Sequence, residues 1–116
     1  FSAAHRLRNY GGRCEELHGH NWRVDVVVGA KQLDSTGLAM DFKELRQHTR
    51  EILSSLDHAF LNELDPFQEM NPSSENIARF IFQGLEAKMA GRGICVLRVN
   101  VWESDHSCAS YLGDGA

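Results

Sequence analysis

Long apolar runs are missing from this chain. None approaches the ~20 residues that a membrane-spanning helix requires, and the longest β-branched run, Val26-Val27-Val28, is short and strand-like. No two Lys or Arg residues are adjacent, and the formal net charge is -4. Nucleic acid asks for a basic face, so neither nucleic acid nor a membrane is expected as a partner. Cysteine is scarce: three residues, an odd number, scattered at positions 14, 95 and 108. That argues against a disulfide framework and predicts a reducing, cytoplasmic setting. Internal repeats, low-complexity tracts and Pro/Ser linkers are also missing. An initiating Met is absent and Phe1 already reads as part of a strand, so an N-terminus cropped from a longer protein is expected.

What is there is the composition of one folded domain, residues 1–116, with 42% apolar and 24% charged residues. Phe1 to Leu7 reads as a short strand, followed by a turn at Asn9-Tyr-Gly-Gly12. His18 to Ala30 is the clearest strand, with His18, His20, Trp22, Val24, Val26 and Val28 on one face. Asp41, with Glu44 three residues later, starts a helix whose apolar positions are Phe42, Leu45, Thr49, Ile52, Leu53 and Leu56. That helix should end near Asp57-His58. Asn71-Pro-Ser-Ser74 opens a second helix with the stripe Ile77, Phe80, Ile81, Leu85 and Met89, ended by Gly91 and Gly93. Ile94 to Ser104 is a strand with Cys95, Leu97, Val99, Val101 and Glu103 on one face, and a last strand near Ala109 to Leu112 pairs back. The order predicts an α+β layer, a four-stranded antiparallel sheet with two helices on one face. Its free edges would be stabilised by joining the sheets of other subunits.

Three histidines carry the chemistry. His18 and His20, two apart on a strand, point to the same face, and a hairpin can bring His5 beside them. A lone His is ordinarily a solvated or satisfied core residue. Three neutral imidazoles around one ion are instead the pattern of catalytic zinc, with a position left open. Gly19 removes a side chain from the opposite face and suits close approach of another element. The cupin pattern does not fit, because Arg23 and Val24 stand where it wants an acid. Cys14 admits two roles: a fourth ligand closing a structural site, or a thiol whose pKa the metal lowers. In Asp57-His58 a buried Asp could orient the imidazole as a proton shuttle; a helix C-terminal His facing the dipole is the plainer reading. Glu103 shares a face with Val99 and Val101, where an ion is costly unless paired. It could accept two parallel N–H bonds from a guanidine-like ligand, or sit where the strand has already reached solvent. Glu75 fits a favourable acid in a helix first turn. His48, His106, Cys95 and Cys108 read as surface or packing residues.

Five segments in order carry a resemblance: Phe1-Ser-Ala-Ala-His5, Cys14-Glu-Glu-Leu-His-Gly-His20, Leu56-Asp-His-Ala-Phe-Leu-Asn62, Asn71-Pro-Ser-Ser-Glu-Asn76 and Val101-Trp-Glu-Ser104. Together they span nearly the whole chain and resemble the 6-pyruvoyl-tetrahydropterin synthase and 6-carboxytetrahydropterin synthase family. The resemblance implies the T-fold, in which subunit sheets join into a β-barrel, usually a homo-hexamer built from two trimers with active sites between subunits. It implies zinc on His5, His18 and His20, proton handling by Cys14, Asp57 and His58, a pterin anchored by Glu103, and a pocket lined by Ser73, Ser74 and Glu75. The implied substrate is 7,8-dihydroneopterin triphosphate. The implied product of the carboxy-forming branch is 6-carboxy-5,6,7,8-tetrahydropterin, with loss of acetaldehyde and triphosphate, on the way to queuosine. The alternatives are 6-pyruvoyl-tetrahydropterin formation or cleavage to 6-hydroxymethyl-dihydropterin for folate. Some members use a Glu at the place of Glu15 for that cleavage, and members with both residues look bifunctional. A reading of another class is a non-catalytic zinc-binding assembly module, with Cys14 closing the site. The triphosphate-binding residues are not legible; Arg6 and Arg8 are the candidates.

Overall fold

Alternation along the strands and a capping oxygen at each helix start set the elements of this chain. The computed structural model describes residues 1–9 and 16–113. The elements are β1 (Ser2–His5), β2 (His18–Asn21), β3 (Arg23–Ala30), α1 (Phe42–Leu53), β4 (Ala59–Phe60), α2 (Ser74–Met89), β5 (Ile94–Ser104) and β6 (Ser107–Tyr111). Two single 3₁₀ turns, Leu61–Glu63 and Asp65–Phe67, lie between β4 and α2. The fold class is α+β, as the sequence predicts.

The sheet differs from the expectation. Instead of one four-stranded antiparallel sheet, the described residues form two of three strands, β2-β1-β4 and β3-β5-β6. The first is mixed, because β1 pairs antiparallel with β2 but parallel with β4. The expected strand from His18 to Ala30 divides at Trp22, which is buried. There the backbone exchanges hydrogen bonds with Phe1, Trp22 N donating to Phe1 O at 2.6 Å and the terminal amine to Trp22 O at 3.0 Å. From Arg23 onward the chain pairs with β5 instead. A side chain too large to leave in water thus marks the handover between sheets.

Strand β5 also corrects the predicted face. Its register against β3 slips between Val27 and Val28, and a one-residue slip moves following side chains to the other face. Val96, Val99 and Val101 are buried, while Cys95 and Leu97 are exposed.

Asp41 caps α1 by accepting from Lys43 N at 2.8 Å, and Ser73 caps α2 by accepting from Asn76 N at 3.1 Å. Helix α1 stops at Leu53, short of the expected Asp57-His58, and the chain continues in turns to β4. Phe42 is 78% exposed, so the apolar stripe of α1 starts later than its sequence suggests. Helix α2 buries Ile77, Ala78, Ile81, Phe82, Leu85 and Met89. It packs on β5 and β6, with α1 alongside. A Cβ on Gly84 would meet Ile52 Cδ1 at 3.0 Å, so glycine there lets α1 approach closely.

Candidate metal centre

The β1–β2 hairpin pairs His5 with His18 and Ala3 with His20. Side chains of directly opposed residues share a face, so the three imidazoles meet. Their ring centroids lie 4.4, 5.4 and 4.8 Å apart for His5–His18, His5–His20 and His18–His20. The Trp22 ring meets those of His5 and His20 in T-shaped contacts, centroids 4.9 and 5.2 Å apart, and walls the cluster with apolar surface.

Hydrogen bonds fix which nitrogen of two rings faces inward. His5 Nδ1 lies 2.7 Å from Pro72 O, and His18 Nδ1 lies 2.7 Å from Glu16 O. A carbonyl only accepts, so each Nδ1 carries the proton and each neutral ring keeps its Nε2 lone pair. This is the outer-shell arrangement that orients metal-binding histidines. The Nε2 atoms of His5 and His20 are buried without a hydrogen-bond partner. Burial lowers the pKa of both rings, His18 adds to the lowering, and Glu103 opposes it, as does the Pro72 carbonyl for His5.

Glu103 completes the cluster. Its Oε1 is 3.2 Å from His5 Nε2 and 3.6 Å from His20 Nε2. One ligand atom from each of His5, His18, His20 and Glu103 falls within 4.8 Å of the others. The buried Nε2 lone pair of His5 facing a carboxylate oxygen is repulsive unless a cation stands between them, and His20 Nε2 is a second buried atom there without a hydrogen-bond partner. The donor set therefore fits a divalent metal, and three imidazoles with an oxygen suit zinc.

Asp57 and His58 form a separate pair. Asp57 Oδ1 accepts from Ser2 N at 2.9 Å, and Oδ2 lies 3.1 Å from His58 Nδ1. The Ser2 bond first, then His58, lowers the Asp57 pKa. The expected buried Asp is in fact 40% exposed, and the His58 side chain is 82% exposed. His58 holds φ at 58°, a left-handed conformation that a non-glycine residue adopts at a cost, and its N–H donates to Ser2 O. An open cavity of about 530 Å³ runs over β1 and is lined by Ser2, Ala4, Gly19, His20, Asn21 and His58, among others. Among the described residues, a Cβ on Gly19 would meet only Ala3 O, at 3.8 Å, so none of them makes the expected close approach.

The profile of the 6-pyruvoyl tetrahydropterin synthase family matches residues 1–114. The chain belongs to this family. It is 38% identical over 118 residues to a 6-carboxy-5,6,7,8-tetrahydropterin synthase of Synechocystis, covering 97% of this chain and 87% of that one. It is 32% identical over 105 residues to a dihydroneopterin monophosphate aldolase of Pyrococcus furiosus, covering 90% and 84%. Its fold matches a 6-pyruvoyl tetrahydropterin synthase structure from Caenorhabditis elegans with a TM-score of 0.86 and 28% identity, covering 98% and 90%.

Against this tetrahydropterin synthase frame, the expected site residues fall in three places. His5, His18, His20 and Glu103 meet in the cluster. Ser73, Ser74 and Glu75 begin α2, next to Pro72, whose carbonyl holds His5; the Ser73 hydroxyl is taken by the helix cap. Asp57 and His58 form the third group. Cys14 and Glu15 lie outside the described residues. Arg8 is not free for a triphosphate, because its guanidinium donates to the carbonyls of Phe67, Asn62 and Met70.

Two residues that sequence reasoning passed over set the cluster in place. Asn62 bridges both backbone groups of Arg6, at 2.9 Å each. Asn71 does the same for Arg8, at 2.8 and 3.1 Å. Side-chain amides thus replace a strand partner for the segment leaving His5. The only sequence signal was that both lie inside the resembling segments.

Proposed function

We propose that the chain is a zinc-dependent lyase converting 7,8-dihydroneopterin triphosphate to 6-carboxy-5,6,7,8-tetrahydropterin, with release of acetaldehyde and triphosphate, in queuosine biosynthesis. The observation that carries this is the convergence of three imidazoles, two with buried unpartnered Nε2 atoms, in a chain of the tetrahydropterin synthase family.

His5, His18 and His20 would hold zinc. Zinc bound there supplies Lewis acidity, lowering the pKa of the hydroxyls on the substrate side chain. The other roles belong to the chain's own groups. Asp57 is pinned by Ser2 N and stays anionic, which keeps His58 protonated at Nδ1 and leaves Nε2 to take or give a proton. Cys14 would act as thiolate in the complementary transfer, favoured by the positive charge nearby. Ser73, Ser74 and Glu75 would line the pterin pocket at the start of α2, and Glu103 would supply a carboxylate to the pterin N–H edge. Among the described residues, the ionic partner of the His58 ring is Asp57 alone. An active site assembled between subunits, in a homo-hexamer whose sheets join into a barrel, is supported by the eight-residue edge that β3 leaves free among the described residues.

The test is an assay of the zinc-loaded protein with 7,8-dihydroneopterin triphosphate, reading all products by mass. 6-Carboxytetrahydropterin with acetaldehyde is expected, and Cys14→Ala should keep zinc while losing turnover. Absence of any pterin product would overturn the proposal. A second reading, side-chain cleavage to 6-hydroxymethyl-dihydropterin, is favoured by Glu15 and by the Pyrococcus aldolase relative. It predicts that this product appears and that Glu15→Ala abolishes it.

A further inference from the structure

Glu103 is asked to do two things that one carboxylate cannot do together. Its Oε1 sits 3.2 and 3.6 Å from the Nε2 atoms of His5 and His20. A tetrahedral ion with bonds of 2.0–2.1 Å has ligand atoms about 3.3–3.4 Å apart. The carboxylate oxygen therefore stands at the spacing of a fourth ligand from two of the three rings, with His18 within the 4.8 Å that bounds the whole set. A pterin edge, in contrast, needs both carboxylate oxygens for its two parallel N–H bonds.

The backbone is built to aim this side chain. The β5–β6 register slips between Trp102 and Ser104, so that Trp102 faces Cys108 and Ser104 already faces Ser107. Glu103 is the extra residue of that bulge, without a cross-strand partner. Bulges beside functional sites re-aim a side chain. The carboxylate is also 32% exposed. It spans from the buried His5 to open space, so it can swing without disturbing the core.

We infer that Glu103 is the fourth ligand of the metal in the substrate-free protein and that pterin binding draws its carboxylate off the ion. The inference rests on the metal-centre reading above. In this arrangement the resting site is closed by three nitrogens and one oxygen. It opens only when a ligand with a guanidine-like edge arrives to receive the carboxylate. The exchange forms one pair of N–H···O bonds and breaks one metal–oxygen contact, and it frees a coordination position for the hydroxyls of the same ligand. Metal and pterin then compete for a single side chain, so each weakens the other's hold on it.

The test uses Co²⁺ in place of zinc, with neopterin as the pterin probe. Visible absorption of the ion reports its coordination number and donor set. Wild type and Glu103→Gln are each titrated with Co²⁺. The variant is expected to bind the ion at least about 10-fold more weakly and to show different absorption bands. Saturating neopterin should shift the wild-type bands, because the carboxylate leaves the ion and the hydroxyls of the ligand take its place. Glu103→Ala is carried in parallel, so that an amide disturbing the strand cannot mimic the result. Equal Co²⁺ affinity and identical bands before neopterin would overturn ligation by Glu103. Wild-type bands unchanged by saturating neopterin would overturn the release. Wild type that binds neither Co²⁺ nor Zn²⁺ would remove the metal-centre reading itself, and this inference with it.

Discussion

His5 shows how much one ring can be made to do. Its Nδ1 is committed to Pro72 O and its Nε2 is left bare in a buried site. In the unfolded chain this ring and His20 return to an ordinary value near 6.5; folding lowers both, mainly by burial. Below about pH 6.5 the unfolded state therefore binds more protons than the folded one. The metal-free protein should be at full stability above that pH and lose stability as pH falls below it. Urea midpoints in chelator at pH 8 and pH 5.5 check this, and equal midpoints would contradict it. The Asp57–His58 pair makes a second prediction at this scale. Asp57→Asn should keep the zinc content and lower kcat by about 100-fold or more. The three histidines were legible because a strand alternates with period two and His-Gly-His needs nothing else. Alternation also put Glu103 on the face of Val99 and Val101; its approach to the imidazoles was not legible, because that depends on how the two sheets meet and on a bulge that no alternation rule contains.

At the scale of elements, the Asp41 cap and the start of the second helix within Asn71–Ser74 were readable, while Ser73 as its capping residue was not singled out. Asp41 and Ser73 lie where a side-chain oxygen can take an orphan N–H, and the structure uses both. The faces were less readable. Phe82 is buried although the expected stripe of α2 passed over it, because α2 meets β6 as well as β5; its ring packs edge-on to Tyr111 at 4.9 Å. Cys95 and Leu97 fell on the wrong face because the slip at Val27/Val28 reverses everything beyond it. Leu85, fully buried in the C-terminal half of α2, marks the consequence for stability. Leu85→Ala should cost about 2–5 kcal/mol, measured by chemical denaturation. A loss under ~1 kcal/mol would mean that α2 does not hold this core.

For the whole molecule, shape and edges bear on assembly. The chain has a radius of gyration of 15.2 Å and extents of 52 × 28 × 28 Å, against about 13 Å for a compact chain of this length. Strands β3 and β6 form the edges of their sheet, and β3 offers eight residues of backbone. Val27 and Leu97 are also exposed, 45% and 49%. Long edges invite pairing with another copy, and light scattering of the zinc-loaded protein should give the mass of six chains; a monomer at working concentration would contradict the proposed barrel. No helix among the described residues is long and apolar enough to cross a membrane. The most direct measurement of the account is zinc-edge X-ray absorption on the purified protein with its zinc content determined. It should show one zinc per chain, ringed by three imidazole nitrogens at about 2.0–2.1 Å and completed by oxygen. A sulfur neighbour at about 2.3 Å, or protein that takes up no zinc, would contradict it.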